Sequence, residues 1–216
     1  MTSLKKAGYL AEVDHRLLPS GRLADRSADR PEHLLDLAGP TLNRLRRESG
    51  LSVALTVRVH TAALCLDTRR SGSGYVAFHP GEILPLHAGA SATPLLAPAP
   101  EPVRRQVLNG RPQRFTAATP AADTLATELE TIRRQGHHVT RGWVTPGMAA
   151  VGVPVTAGGR CVCALSLVGT DGELADPAEP ILLLRAAADE LGKRLEHGLD
   201  PAWTTSDSDS QEDPHA

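Results

Sequence analysis

Residues 146–170 decide the fold, and they read PGMAAVGVPVTAGGRCVCALSLVGT. Small and apolar residues fill 148–155 and 161–168, and each run has the length of a β-strand. The intervening residues AGGR, at 157–160, contain the paired glycines that favour a tight hairpin turn. The stretch therefore predicts two antiparallel strands near the end of the domain.

Helices are predicted on both sides of this hairpin. Apolar residues recur at helical spacing over 31–49, 120–135 and 180–197, and shorter helices are predicted over 91–97 and 102–108. Pro40 predicts either two helical pieces or one kinked helix over 31–49. For the helix over 180–197, the predicted inward residues are Leu182, Leu183, Ala186, Leu191 and Leu195.

Further strands are predicted between the helices. Alternation over 53–59 and 62–67 predicts a hairpin that turns near His60 and Thr61. Short strands are predicted over 75–78, 82–86 and 139–144. Helix, several strands, helices, three strands and a closing helix indicate an α+β fold, in which helices flank an antiparallel sheet.

Composition excludes several classes of protein. The 216 residues carry a formal net charge of −2, which offers no global basic field for nucleic acid. Three cysteines argue against a disulfide framework. The N-terminus lacks the apolar run of a signal peptide, and no window predicts a membrane span. We therefore expect a cytoplasmic protein that does not associate with a membrane.

Residues 199–216 are predicted to be a disordered acidic tail. The acidic side chains from 200 onward are Asp200, Asp207, Asp209, Glu212 and Asp213, and this segment has no Lys or Arg. Without these five carboxylates the formal net charge changes from −2 to +3. Such a polar segment lacks the apolar residues that would offset the entropy of ordering it.

Four stretches together resemble the effector-binding domain of IclR-family transcriptional regulators, a GAF-like domain. In chain order they are LAGPTLNRLRRESGLSVAL at 37–55, ILPLHAGASATPLLA at 83–97, TELETIRRQGHHV at 127–139 and the hairpin at 146–170. The resemblance covers residues 27–198. It implies a regulator of transcription that binds a small acidic metabolite and acts as a homodimer or tetramer.

Residues 1–26 resemble the end of a winged helix-turn-helix. The residues LKKAGYL, at 4–10, are similar to the last turn of a recognition helix, and HRLLPSGRL, at 15–23, to the exit of the wing. Pro19, Ser20 and Gly21 indicate a turn there. Most of the DNA-reading domain would be missing, so DNA partners are expected only if upstream residues or a full-length partner supply it.

The resemblance also implies an effector site. By motif, its lining residues would be Leu84, Ala90, Ser91, Thr140, Ala150 and Ser166. Small residues at 89–91 let a ligand approach backbone N–H groups, which suit a carboxylate. Arg141 would add a cation if its strand turned it inward. Family relatives usually carry acidic residues after the glycine at 136, whereas this chain has Thr140, Arg141, Gly142 and Trp143, which indicates a different ligand.

Strand parity predicts which side chains of 161–168 face this site. Cys161, Cys163, Leu165 and Leu167 are predicted on one face, and Ser166 and Val168 on the other. If Ser166 lines the site, the two cysteines do not. A zinc site built from the cysteines with His137 and His138 is disfavoured, because zinc ligands usually occur as C-x2-C.

Enzymatic alternatives lack a complete set of residues. Ser91 with His87 would suit a hydrolase, but the nucleophile elbow needs glycine at 93, where this chain has Thr93. Neither an enzyme, a cofactor nor a metal site is therefore expected, and His87 is expected to be a polar core or rim residue. A stand-alone GAF-like sensor that does not bind DNA itself stays open as an alternative.

Overall fold

A computed structural model of the chain describes residues 10–13, 16–19, 31–72, 78–110 and 112–198. Two N-terminal strands, β1 (Leu10–Val13) and β2 (Arg16–Pro19), pair antiparallel, with Leu10 opposite Pro19. Pro19 ends β2, and Ser20 and Gly21 of the predicted turn lie outside the described residues. The helix end predicted at 4–10 lies, except for Leu10, outside the described residues, as does the tail from 199 onward.

The main sheet has six antiparallel strands in the order β5-β4-β3-β8-β7-β6. Their bounds are β3 Ser52–Val59, β4 Ala62–Arg69, β5 Ile83–Pro85, β6 His138–Arg141, β7 Met148–Ala157 and β8 Arg160–Thr170. The hairpins β3–β4 and β7–β8 are those predicted from the sequence. The strand predicted at 75–78 falls mostly outside the described residues, and Phe78 is not in a strand.

In the described part of the chain, five helices cover the two faces of this sheet. Their bounds are α1 Pro31–Ser49, α2 Thr93–Leu96, α3 Glu101–Asn109, α4 Ala122–Gln135 and α5 Ala178–Gly198. Helices α1 and α5 enclose the larger apolar core with β3, β7 and β8. Helices α2, α3 and α4 enclose a second core on the opposite face. The α+β prediction, an antiparallel sheet flanked by helices, is therefore confirmed.

Helix α1 is a single helix rather than two pieces, which excludes one of its two predicted forms, whereas α5 differs from prediction in its buried face. Pro40 lies inside α1 and is exposed to solvent, where water can compensate the lost backbone hydrogen bond. In α5, the predicted inward residues Leu182 and Ala186 are exposed, and Leu182 is 67% accessible. The buried stripe is Leu184, Ala187, Ala188, Leu191 and Leu195. A run of Leu and Ala made the phase of this helix ambiguous.

A β-bulge in β8 makes the parity prediction wrong for Cys161. Val155 pairs with Cys163 and Thr156 pairs with Cys161, so β8 has one extra residue at this point. Cys163 packs in the core with α1 and α5, as predicted, whereas Cys161 packs on the opposite face. The two sulfur atoms therefore do not share a face of the sheet.

Candidate functional site

The turn after β5 brings the small residues 88–92 against the sheet. Gly89 has φ +74°, a conformation that residues with a Cβ rarely adopt. Its N–H donates to His87 O at 3.2 Å, and the Ala90 N–H donates to Thr140 Oγ1 at 3.2 Å. Three backbone N–H groups were expected to hold a carboxylate. Two of them, those of Gly89 and Ala90, instead donate hydrogen bonds to other groups of the protein. The sequence could not show this, because Thr140 is fifty positions away along the chain.

Three buried hydroxyl groups tie this turn to the central strands. The Ser91 and Ser166 Oγ atoms are 2.7 Å apart, and the Thr56 hydroxyl donates to Ser91 O at 2.7 Å. Ser166 lies on β8 and Thr56 on β3, which are neighbouring strands. One proton of the Ser91–Ser166 pair bridges the two oxygens, and the other can be donated to a ligand.

The segment after β6 forms the opposite side of the site. The strand predicted to reach 144 ends at Arg141, and residues 142–145 form a bend. Thr116 Oγ1 donates to Gly142 O at 2.5 Å, and Thr119 Oγ1 donates to Trp143 O at 2.7 Å. The Trp143 ring meets the His138 ring edge to face, with centroids 4.9 Å apart.

His138 is buried beneath Trp143 and is held by a hydroxyl. Thr93 Oγ1 donates to Gly89 O at 3.0 Å, so its oxygen accepts from His138 Nδ1 at 2.6 Å. Burial, with a smaller contribution from neighbouring His137, lowers the pKa of His138 to about 4. The Glu128 carboxylate lies 3.4 Å from Nε2 and favours the charged ring, but water screens this half-exposed group, so burial dominates.

Between the turn and the bend lies a cavity of about 60 Å³. Its floor is the sheet, at Ala54, Ala150 and Val168, and its walls include the 88–91 turn. Five of the six predicted site residues line it: Leu84, Ala90, Ser91, Thr140 and Ala150. Ser166 does not line it but contacts Ser91 from below. The structure therefore brings all six residues together around one cavity.

Several lining residues were not predicted. They are Ala54, Phe78, Ala88, Trp143, Val144, Thr145, Met148, Ala149 and Val168, together with Gly89 from the predicted small-residue loop. Most lie in bends or strand ends, where no periodicity indicates the direction of a side chain. Trp143 carried one usable signal, because it is one of only two tryptophans in the chain.

The cavity is mainly apolar, and its polar groups are hydroxyls. Among the described lining residues, Ser91, Thr140 and Thr145 are polar and none is charged. Arg141 points away from the cavity, because its guanidinium donates to Leu174 O at 2.6 Å and to Ala175 O at 3.2 Å. An inward Arg141 is therefore wrong: in β6 it alternates with Thr140, whose side chain faces the cavity.

Comparison with known families decides the identity of this domain. The family described as bacterial transcriptional regulator IclR C-terminal matches residues 30–192. The chain belongs to the IclR family. No significant match was found among curated protein sequences.

Solved IclR-family structures have the same fold. An IclR homolog from Microbacterium hydrocarbonoxydans, solved as a complex with 4-hydroxybenzoate, is 24% identical with a TM-score of 0.73, and the alignment covers 91% of this chain and 83% of that one. An IclR homolog from Microbacterium sp. strain HM58-2 is 25% identical with a TM-score of 0.69, covering 90% and 81%. IclR from Thermotoga maritima is 22% identical with a TM-score of 0.69, covering 91% and 83%.

The hydrolase and zinc-site alternatives gain no support from the contacts of their residues in this IclR-family domain. The Ser91 hydroxyl contacts Ser166, whereas buried His87 contacts Gln113 O at 2.9 Å through Nε2. Burial raises the pKa of the Cys161 thiol to about 12, and Cys161 and Cys163 lie on opposite faces of the sheet, so their sulfur atoms do not converge on one ion. Among the described residues, no three His, Cys, Asp or Glu side chains are grouped to hold a metal ion.

Among the helices of the described residues, none combines the length and the apolarity that crossing a bilayer requires.

Proposed function

We propose that this domain senses a small organic metabolite and binds it in the cavity beside the 88–91 turn. The observation that carries the proposal is that five of the six residues predicted from motifs line one apolar cavity with hydroxyl groups, and that the sixth, Ser166, contacts the lining residue Ser91. Such a combination is typical of small-molecule sites, where apolar walls supply affinity and a few polar groups orient the ligand. Leu84 and Ala150 would contact the apolar part of the ligand, and Ser91 and Thr140 its polar part.

The proposed ligand class is a small organic acid. The fold neighbour in complex with 4-hydroxybenzoate supports an acid as a starting point. In this chain the carboxylate would be held by neutral donors, namely the hydroxyls of Ser91 and Thr140 and the Ser91 N–H, because Arg141 is engaged elsewhere. Neutral donors can stabilise a carboxylate, as several backbone N–H groups do together.

Ligand binding would change the assembly that reads DNA. We propose a homodimer or tetramer in the cytoplasm, whose equilibrium shifts when the ligand contacts the turn and through it Ser166 and Thr56. The helix-turn-helix would be contributed by residues of the same polypeptide or of a full-length partner. The alternative, a sensor that does not contact DNA itself, predicts no gel shift with the full chain at moderate salt.

A thermal-shift screen of the full chain against small carboxylic acids tests the binding step. A ligand at about a hundred times its Kd should stabilise the protein by about 2.7 kcal/mol. Ala150→Leu places a larger side chain on the cavity floor and should abolish the shift. Ala186→Leu makes the same change on the exposed face of α5 and should keep it. A shift that survives in Ala150→Leu would contradict the proposed site.

A further inference from the structure

We propose that Trp143 is the specificity-determining residue of this cavity, a fixed wall that admits only ligands of about six non-hydrogen atoms or fewer. The inference rests on the proposed function, since it concerns what the same cavity accepts. It goes beyond that function by assigning the size limit to one side chain. Its basis is the volume of the cavity together with the contacts that hold Trp143.

The volume of the cavity sets the limit. One water molecule needs about 10–15 Å³ of cavity volume, so a cavity of 60 Å³ holds about four to six atoms of that size. A short aliphatic acid has about that many non-hydrogen atoms, whereas an acid with a phenyl ring has more. The floor of the cavity cannot shift to admit the phenyl ring of a ligand, because Ala54 and Ala150 belong to strands that are hydrogen-bonded to their neighbours.

Trp143 is fixed on both its backbone and its ring. Hydrogen bonds from Thr116 and Thr119 hold the carbonyls of Gly142 and Trp143 at 2.5 and 2.7 Å. The ring packs against His138 at 4.9 Å, and His138 is itself held by Thr93 at 2.6 Å. The hydrogen bonds fix the backbone from which the ring projects, and rotating the ring aside would give up its contacts with His138 and with the second core, so the side chain acts as a wall.

Trp143 also differs from the other bulky lining residues. It lies in the 142–145 bend outside the sheet, so truncating it leaves the strand pairing intact. Leu84 and Met148 belong to strands β5 and β7. Phe78 is almost fully buried, at 4% exposure, and follows residues outside the described part of the chain. Trp143 is therefore the large lining side chain whose removal enlarges the cavity with the least damage to the fold.

The test compares propionate, which fits the limit, with benzoate, which exceeds it. Affinities are measured by calorimetry on the full chain at matched ionic strength, for the wild type, Trp143→Ala and Trp203→Ala. The last variant is the matched control, since Trp203 lies beyond residues 30–192, which match the family. We expect the wild type to prefer propionate by at least about tenfold, or about 1.4 kcal/mol, and Trp143→Ala to gain at least about tenfold for benzoate. Trp203→Ala should behave as the wild type does.

Three results would overturn the inference, and they separate it from the proposed function. If benzoate binds the wild type as tightly as propionate and competes with it, the proposed size limit is wrong. The proposed function as a small-molecule sensor would still hold. A benzoate affinity unchanged in Trp143→Ala, or in the more conservative Trp143→Leu should the alanine variant not fold, shows that another residue sets the limit. Binding of neither acid to any variant contradicts the proposed function itself.

Discussion

Replacing Gly152 by alanine should displace the 88–91 turn, which lines the cavity, and destabilise the domain. Gly152 lies on β7 directly beneath this turn, where an added Cβ would be 1.8 Å from Ala90 O and 3.0 Å from Pro94 Cγ. Real Cβ atoms essentially never approach another heavy atom closer than 3.0 Å, so the turn must retreat by about 1.2 Å, the difference between these two distances. The obstacle is a backbone carbonyl, which no rotamer change can move.

The size of the effect follows from what holds the turn. Overpacking a dense interior costs about 1–3 kcal/mol. The retreat also strains two hydrogen bonds of the turn, from Ala90 N–H to Thr140 and from Thr56 to Ser91 O, each contributing about 1 kcal/mol. We therefore expect Gly152→Ala to lower the free energy of unfolding by about 3 kcal/mol or more, and to weaken ligand binding because Ala90 lines the cavity.

Urea-induced unfolding measures this loss, and Gly172→Ala is the matched control. Gly172 is exposed after β8, and its added Cβ would have only Thr170 Oγ1 near it, at 4.0 Å. The same chemical change should therefore alter the free energy of unfolding there by about 0.5 kcal/mol or less. A Gly152→Ala variant within about 1 kcal/mol of the wild type, with unchanged ligand affinity, would refute the placement of the turn against β7.

Two further predictions concern acid stability and the hydroxyl pair. Because the pKa of His138 is about 4 when folded and about 6.5 when unfolded, the unfolded state binds more protons between these values, so stability should fall as pH decreases through this window. From pH 7.5 to 5 the loss attributable to His138 is about 2 kcal/mol, and urea unfolding of His138→Gln should show a loss smaller by that amount. Ser166→Ala should weaken ligand binding because it frees the Ser91 hydroxyl to rotate, whereas Cys163→Ala, on the opposite face of β8, should leave Kd unchanged in calorimetry. Equal effects of these two substitutions on Kd would contradict the assignment of faces.

The regular parts of this domain could be predicted from the sequence because their periods are imposed by burial. Strands β7 and β8 are apolar over most of their length, and the glycines at 158–159 favour a tight turn. The predicted side-chain direction in β8 is wrong at one point. The bulge opposite Val155 and Thr156 adds a residue and moves Cys161 to the other face of the sheet. A bulge leaves no period in the sequence, so parity counted from Ser166 was correct only as far as Cys163.

Motifs predicted several small residues of the candidate site, together with Leu84, but not its two aromatic residues. Ala90, Ser91 and Ala150 came from motifs whose small side chains leave room for a ligand. Trp143 and Phe78 come from irregular segments, and only tertiary packing decides which way such residues point. The number of backbone N–H groups available to a ligand was overestimated for a related reason. The Ala90 N–H donates to Thr140, which lies on a strand remote in sequence.

The position of the hydroxyl groups explains how a small cavity can influence the far side of the sheet. Ser166 and Thr56 face the turn, while Leu165, Leu167 and Leu55, their neighbours on β8 and β3, pack on the opposite face against the core of α1 and α5. A ligand that shifts the turn therefore acts on the two central strands that carry both cores. Dense interiors transmit such shifts because they are poorly compressible. Helix α1 leads directly into β3, which makes α1 the element best placed to pass the change to residues that precede it.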